Sequence, residues 1–148
     1  MGNRYMVSRD NVTPTGGNDL ITIVSASNRR IRIREVSVAG RGSTSAAQQI
    51  QIFASTGGTT GGGALTPNKF DHVDQPAAAS TVNTTWSAQP TADTHGEVIG
   101  FNALGGANRW IPPGGAGVEV RNGANISIRA TSGPTWQAMS ISVVYEED

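Results

Sequence analysis

One stretch of alternating arginines and aliphatic residues, RRIRIREVSVA at residues 29–39, constrains the fold of this chain more than any other. Alternation with a period of two is the pattern of a half-buried β-strand. Ile31 and Ile33 occupy odd positions whereas Val36 and Val38 occupy even ones, so a regular strand would place the two pairs on opposite faces. One extra residue between Ile33 and Val36 restores a common face, and we therefore predict a β-bulge at that point.

The rest of the chain repeats short apolar segments separated by glycine, proline and asparagine turns. About eight to ten short strands without a helix are typical of sandwiches and jelly rolls. We predict an all-β fold, an antiparallel β-sandwich of jelly-roll type with long Gly/Pro loops, in one domain over residues 19–148. Residues 1–18 are predicted to form an N-terminal arm, or a short strand plus a loop, because 9–18 are rich in turn residues. The predicted core comprises Leu20, Ile31, Ile33, Val36, Val38, Ile50, Ile52, Val118, Val120, Ile126, Ile128, Ile141 and Val143.

Local patterns also predict how neighbouring strands connect. Residues 46–55 form a strand with Phe53 pointing outward, which pairs with the preceding strand as an antiparallel hairpin. The dipeptide Asn122-Gly123 predicts a second hairpin turn. The glycine-rich residues 55–63 are predicted to form a flexible loop, because they lack the Gly-Lys-Ser/Thr ending of a phosphate-binding loop.

Composition excludes several classes of function. Lysines and arginines together equal the acidic residues in number, so no net field draws the whole molecule to nucleic acid or membrane. The absence of cysteine excludes disulfides and thiolate metal sites. No apolar window approaches the ~20 residues that a membrane helix needs, and no apolar run follows the N-terminal charge as in a signal peptide. We therefore expect synthesis in a cytoplasm, no export by the usual route, and no direct binding to nucleic acid or membrane.

The two histidines are the obvious candidates for a catalytic base or a metal ligand. His72 lies in DHVD (71–74) and His95 in DTHGE (93–97), and both clusters have the composition of a metal site. The chain lacks the His-x-His pair of cupin-type metal sites, so we interpret each histidine as a surface loop residue. We expect no catalytic residue, no cofactor and no bound metal.

Arg30, Arg32 and Arg34 project from one face of the predicted strand at regular spacing. They form either a solvated outer face or a docking stripe for an acidic partner surface. Nucleic-acid binding would need aromatic residues beside them, and Phe53 is the nearby candidate. Trp110 either anchors an interface or belongs to the core. The predicted partner-binding set is Arg4, Tyr5, Arg30, Arg32, Arg34 and Trp110.

A further set of segments carries a resemblance to a known class of proteins. The segments are QQIQIF (48–53), STGG (55–58), GGALTP (62–67), QPAAAST (75–81) and RWIPPG (109–114). Together they resemble small all-β virion proteins of tailed bacteriophages, and among these the capsid decoration, or cement, proteins. The chain departs from that pattern in lacking a recognisable capsid-binding arm motif.

The resemblance implies a β-sandwich or jelly-roll subunit, commonly a homotrimer, that binds outside the lattice of the major capsid protein and staples neighbouring copies together. It implies a location on the virion exterior, no catalysis and no cofactor. Two alternatives stay open. A carbohydrate-binding or host-adhesion module of a phage fibre would need an exposed aromatic platform at Trp86 or Trp136, and a metal-dependent cupin-like enzyme would need an organised metal site.

Overall fold

The computed structural model describes residues 2–70, 74–113 and 117–148, with the backbone alone for residues 94 and 95. Within those residues the chain forms twelve strands and no α-helix, and hence no helix that could cross a bilayer. The strands are β1 (Asn3–Val12), β2 (Asp19–Val24), β3 (Arg30–Gly40), β4 (Ala47–Thr56), β5 (Thr59–Leu65), β6 (Asn68–Lys69), β7 (Thr81–Ala88), β8 (Thr91–Asn102), β9 (Ala107–Trp110), β10 (Glu119–Arg121), β11 (Asn125–Ala130) and β12 (Met139–Glu147).

Two antiparallel sheets pack against each other around a shared core, so the predicted β-sandwich is confirmed. Sheet A has the order β10-β3-β12-β1-β6, with β9 also pairing with β3, and sheet B has the order β5-β7-β2-β11-β4-β8. The connection between β4 and β8 supplies three strands of its own. Of these, β5 and β7 extend sheet B beside β2, and β6 extends sheet A beside β1.

Eight of the strands pair as a nested set, in which the first pairs with the last and the others follow inward. The nested pairs are β1 with β12, β2 with β11, β3 with β10, and β4 with β8. Lateral pairing of β3 with β12 and of β4 with β11 then joins these pairs into the two sheets. The chain therefore alternates between the sheets along β1 to β4, and its first and last strands lie side by side.

The predicted bulge in β3 is present. Glu35 lies opposite Val144 and Ile33 lies opposite Tyr145, so Arg34 is an extra residue with no partner across the pair. The bulge places four aliphatic side chains on the buried face: Ile31, Ile33, Val36 and Val38, all 0–3% exposed.

The predicted core is confirmed with one exception. Val118 is partly buried and packs against the core, whereas the other predicted residues are buried. The prediction omitted Ile21 and Ile23, although both are fully buried in β2. That strand is buried along nearly its whole length, so alternation does not show which of its sides faces the other sheet.

Two predicted hairpins are wrong. β4 does not pair with β3 but with β8 and β11 of the opposite sheet. Asn122 and Gly123 do form the predicted tight turn, with positive φ angles of 54° and 83° and a hydrogen bond from Ala124 N to Arg121 O. However, β10 and β11 on either side of this turn belong to different sheets, so the turn is a corner between sheets.

The N-terminal segment and the glycine-rich segment are both more regular than predicted. Residues 3–12 form β1, which lies between β12 and β6 inside sheet A, and residues 13–18 form the loop that follows. The flexible loop predicted at 55–63 is in part an edge strand, β5, that pairs with β7. Gly62 and Gly63 have positive φ angles of 101° and 79°, and the register of β5 slips beside them.

Candidate interaction surfaces

The three arginines of β3 lie on the outer face of sheet A, and each is paired with a carboxylate of the same chain. The pairs are Arg30 with Asp148, Arg32 with Glu119, and Arg34 with Glu146, each through an Nε hydrogen bond of 2.8–2.9 Å. The arginine side chains are 26–34% exposed. An acidic partner would therefore compete with internal carboxylates for these cations. Their role in docking stays a prediction.

The internal pairing also shifts the titration of these groups. A hydrogen bond from Arg32 lowers the pKa of Glu119 below its ordinary value. A hydrogen bond from Arg30 lowers the pKa of Asp148 in the same way. The same bond raises the pKa of Arg30. The charged state of this face is therefore favoured over a wider range of pH than for isolated side chains.

Arg4 joins the same charged cluster at its margin. Its Nε atom lies 3.8 Å from Oε2 of Glu146, and its side chain is 55% exposed. Glu146 itself is only 6% exposed and also accepts a 3.2 Å hydrogen bond from the backbone N–H of Gly2. Among the predicted arginines, Arg4 is thus the one with the most surface available to a partner.

Tyr5 was predicted to contact a partner, but the structure places its side chain in the core. Its side chain is 1% exposed, its ring lies 5.5 Å from that of Tyr145, and its hydroxyl donates a 3.0 Å hydrogen bond to Pro76 O. Tyr145 bonds to the hydroxyl of Ser80 at 2.9 Å, and burial raises the pKa of Tyr145. The two tyrosines hold residues 76–80 over the end of the core. The prediction failed because the burial of Tyr5 depends on residues far away in sequence.

Trp110, predicted either to anchor an interface or to belong to the core, is partly buried. It lies opposite Val36 in the β3–β9 pair and packs against the core while remaining partly exposed. Its neighbour Ile111 is 55% exposed. The core role is therefore the one that its contacts support, and any partner would meet it beside Ile111.

Neither of the other tryptophans is a freely exposed platform. Nε1 of Trp86 donates a 2.9 Å hydrogen bond to Thr22 Oγ1, and Nε1 of Trp136 donates a 3.0 Å hydrogen bond to Thr131 O. The Trp136 ring also lies 6.3 Å from that of Phe101. Both indoles are half-buried, so each presents only part of its surface.

The two histidines lie outside the part of the chain whose side chains are described. His72 falls in the gap at residues 71–73, and only the backbone of His95 is described, within β8. Among the described residues, no three His, Cys, Asp or Glu side chains gather closely enough to hold a metal ion.

A buried polar network on the outer face of sheet B was not predicted from the sequence. Asp19, whose side chain is fully shielded, accepts hydrogen bonds from Thr22 Oγ1 at 2.7 Å, from Ser127 Oγ at 2.6 Å and from Arg129 Nε at 2.6 Å. The Arg129 guanidinium also lies 4.9 Å from the centre of the Phe53 ring. Phe53 is on the outer face of the sheet, as predicted, but it is buried there. The polar outward positions in β2 and β11 were the available signal.

Three exposed apolar side chains lie on the opposite side of the molecule from β5, while a fourth, Phe70, follows β6. Val98 in β8 is 51% exposed, and Leu104 and Ile111, in the segments on either side of β9, are each 55% exposed. Among the described residues, β8 pairs along one edge only, with β4. An open strand edge beside apolar side chains is a favourable site for contact with another chain.

A small polar cleft lies where β1 and the loop at 13–18 approach β7. Its volume is about 190 Å³, and Arg9, Asp19, Trp86 and Gln89 are among the residues that line it. The side chain of Arg9 makes one hydrogen bond with the described residues, from Nη1 to Leu20 O at 2.9 Å, and no ion pair with any of them. Burial lowers its pKa.

No protein-family model matches this chain, and no curated protein matches it either.

Proposed function

We propose that this protein is a virion structural protein, a decoration or cement protein of a tailed bacteriophage. In this role it binds the outer capsid surface, as a homotrimer, and staples neighbouring major capsid proteins without catalysing a reaction. The proposal rests on the sequence resemblance and on one structural observation, the open edge of β8 with its exposed apolar side chain. It places the protein on the capsid exterior after synthesis in the host cytoplasm.

The connectivity of the sandwich agrees with the subunit type that the resemblance implies. The nested pairing of β1–β12, β2–β11, β3–β10 and β4–β8 is the connectivity of a long hairpin rolled into two sheets. We interpret it as a jelly roll with β5, β6 and β7 as an insert. Jelly rolls are common building blocks of viral capsids.

The open edge of β8 supplies the contact surface that this role requires. Residues 96–102 of β8 keep a regular register with β4, and no other described strand pairs with β8. Near the end of β8, Gly100 O accepts a 2.9 Å hydrogen bond from Asn108 Nδ2 and Asn102 O accepts a 3.0 Å hydrogen bond from Gly106 N, so the part of the edge around Val98 is the part available to another chain. Val98 is 51% exposed on this strand, and Gly96 and Gly100 flank it. Pairing with a neighbouring chain would satisfy the backbone and cover the valine. Repeated weak contacts of this kind gain strength when one oligomer makes several of them at once.

The proposal is tested by binding to capsids. Purified protein is expected to run as a trimer in size-exclusion chromatography with light scattering. It is also expected to sediment with capsids assembled from the major capsid protein encoded nearest to it. A monomer that shows no affinity for those capsids contradicts the proposal.

A charge placed on the open edge identifies the contact. Val98→Lys adds a cation at the centre of the regular part of β8, and we expect at least tenfold weaker capsid binding or loss of the trimer. Thr60→Lys is the matched control, because Thr60 is exposed on β5 at the far edge of the same sheet. Equal effects of the two variants would argue against β8 as the contact.

A further inference from the structure

The cleft beside Trp86 combines features that the proposed function does not use. Arg9 and Trp86 line the same space of about 190 Å³, together with Asn18, Gln89 and threonine hydroxyls. We propose that this cleft binds one unit of an acidic saccharide, with the sugar ring against the Trp86 indole and its carboxylate on Arg9. This binding would be independent of the capsid contact at β8.

Arg9 is the residue that points to an anionic group. Its guanidinium has five N–H donors, and the one hydrogen bond it makes within the described residues is to Leu20 O. It has no carboxylate partner among those residues, whereas the other described arginines in sheet A strands have one, including Arg4, Arg30, Arg32 and Arg34. A half-buried guanidinium with free donors matches the bidentate geometry of a carboxylate.

Trp86 supplies a fixed aromatic surface. Its Nε1 is held by Thr22 Oγ1, and a Cβ on Gly58 would lie only 2.8 Å from Cζ3 of the indole. The ring is therefore clamped between the sheet and the Gly58 backbone, and its position is set before any ligand arrives. Pre-organisation of this kind lowers the entropic cost of binding.

The rest of the lining selects a small polar ring over an extended apolar ligand. Sites for larger organic molecules are commonly 300–1,000 Å³ and mostly apolar, whereas this cleft is smaller and mostly polar, with amides and threonine hydroxyls beside a few apolar residues. Asp19 also lines it, but its carboxylate is fully shielded and accepts hydrogen bonds from Thr22, Ser127 and Arg129. Gln89 uses its side-chain oxygen to accept a 2.9 Å hydrogen bond from Asp19 N, so its NH₂ group is directed by that contact and can donate to a hydroxyl. A pyranose has an apolar C–H face for the indole and hydroxyls at its rim. An acidic pyranose adds the carboxylate that Arg9 lacks.

The inference is tested by NMR titration of the full chain with D-glucuronate, D-glucose and acetate in parallel. The indole N–H signals report on each of the three tryptophans, and Trp86→Phe assigns the one in the cleft. We expect saturable shifts of the Trp86 signal with glucuronate at roughly 1–10 mM and at least tenfold weaker binding of glucose and of acetate. Equal binding of glucose, equal binding of acetate, or no saturable shift with glucuronate overturns the proposal.

Substitution of the arginine separates the cleft from the rest of the surface. Arg9→Gln is expected to weaken glucuronate binding at least tenfold, because the charge-assisted contact is lost. Arg41→Gln is the control, since Arg41 is an exposed arginine paired with Asp10 outside the cleft. We expect this variant to bind glucuronate as tightly as the unmodified chain. If Arg9→Gln loses its dispersed spectrum, Arg9→Lys replaces it, with weakened binding expected from the loss of the planar fork. Unchanged affinity in a folded Arg9 variant refutes the role of Arg9.

Discussion

Nε of Arg129 donates a 2.6 Å hydrogen bond to Oδ1 of Asp19, whose side chain is fully shielded from solvent. Removal of the cation would leave a buried carboxylate without its charge partner. Breaking a buried pair in this way costs roughly 3–5 kcal/mol. We therefore expect Arg129→Gln to lower the free energy of unfolding by about that amount, measured by urea denaturation.

The control for this prediction is an exposed pair of the same chemistry. Arg41 and Asp10 form an ion pair in which the side chains are 54% and 73% exposed. Water screens exposed pairs, so they contribute little to stability, and Arg41→Gln is expected to leave the midpoint of urea denaturation nearly unchanged. Comparable losses in the two variants would mean that the burial of Asp19 does not set the cost.

The bulge at Arg34 predicts that the fold survives both deletion and substitution of this residue. Deleting Arg34 would remove the extra residue and leave a regular strand, with Ile33 still opposite Tyr145 and Glu35 opposite Val144. Ile31, Ile33, Val36 and Val38 would then keep a common buried face, and we expect the chain to fold. Arg34→Ala keeps the register and removes one partner of the buried Glu146, at a cost of roughly 1–3 kcal/mol. Circular dichroism and urea denaturation test both variants. A deletion variant that does not fold would show that the core depends on the bend made by the bulge and not only on the phase of the aliphatic side chains.

The bulge could be predicted from sequence because four aliphatic side chains record the phase of one strand on both sides of it. The pairing of β3 could not, since alternation shows which face of a strand is buried but not which strand lies beside it. The chain leaves β3 at Gly40 and enters β4 in the other sheet. A short turn with glycines is compatible with both a hairpin and such a crossing.

The candidate surfaces were less predictable than the fold. The arginine spacing correctly placed Arg30, Arg32 and Arg34 on one face, but their partners Glu119, Glu146 and Asp148 come from strands far along the chain. Asp19 resembles an ordinary loop residue at the start of a strand. Its burial arises only when Ser127 and Arg129 of β11 are brought beside it.

Gly40, the last residue of β3, lies where the backbone of sheet A approaches the end of β8 in sheet B. A Cβ on Gly40 would collide with Asn102 O and Ala103 O, both backbone atoms that cannot move alone. We expect Gly40→Ala to destabilise the fold by about 1–3 kcal/mol or more, measured by thermal and urea unfolding. Gly100→Ala is the matched control, because its nearest atom would be Gln48 O at an ordinary 3.9 Å. A Gly40→Ala variant as stable as Gly100→Ala would contradict the close approach.

The lowered pKa values of Glu119 and Asp148, caused first by hydrogen bonds from Arg32 and Arg30, predict how stability depends on pH. A carboxylate with a depressed folded-state pKa stabilises the fold above its unfolded pKa of about 4 and loses that contribution as pH falls through the folded value. We expect the melting temperature to decrease as the pH is lowered below about 4. Glu119→Gln should melt about 1–4 °C lower at pH 7, with this difference disappearing by about pH 2.5. If the difference in melting temperature between the two proteins stays constant down to that pH, another group controls acid unfolding.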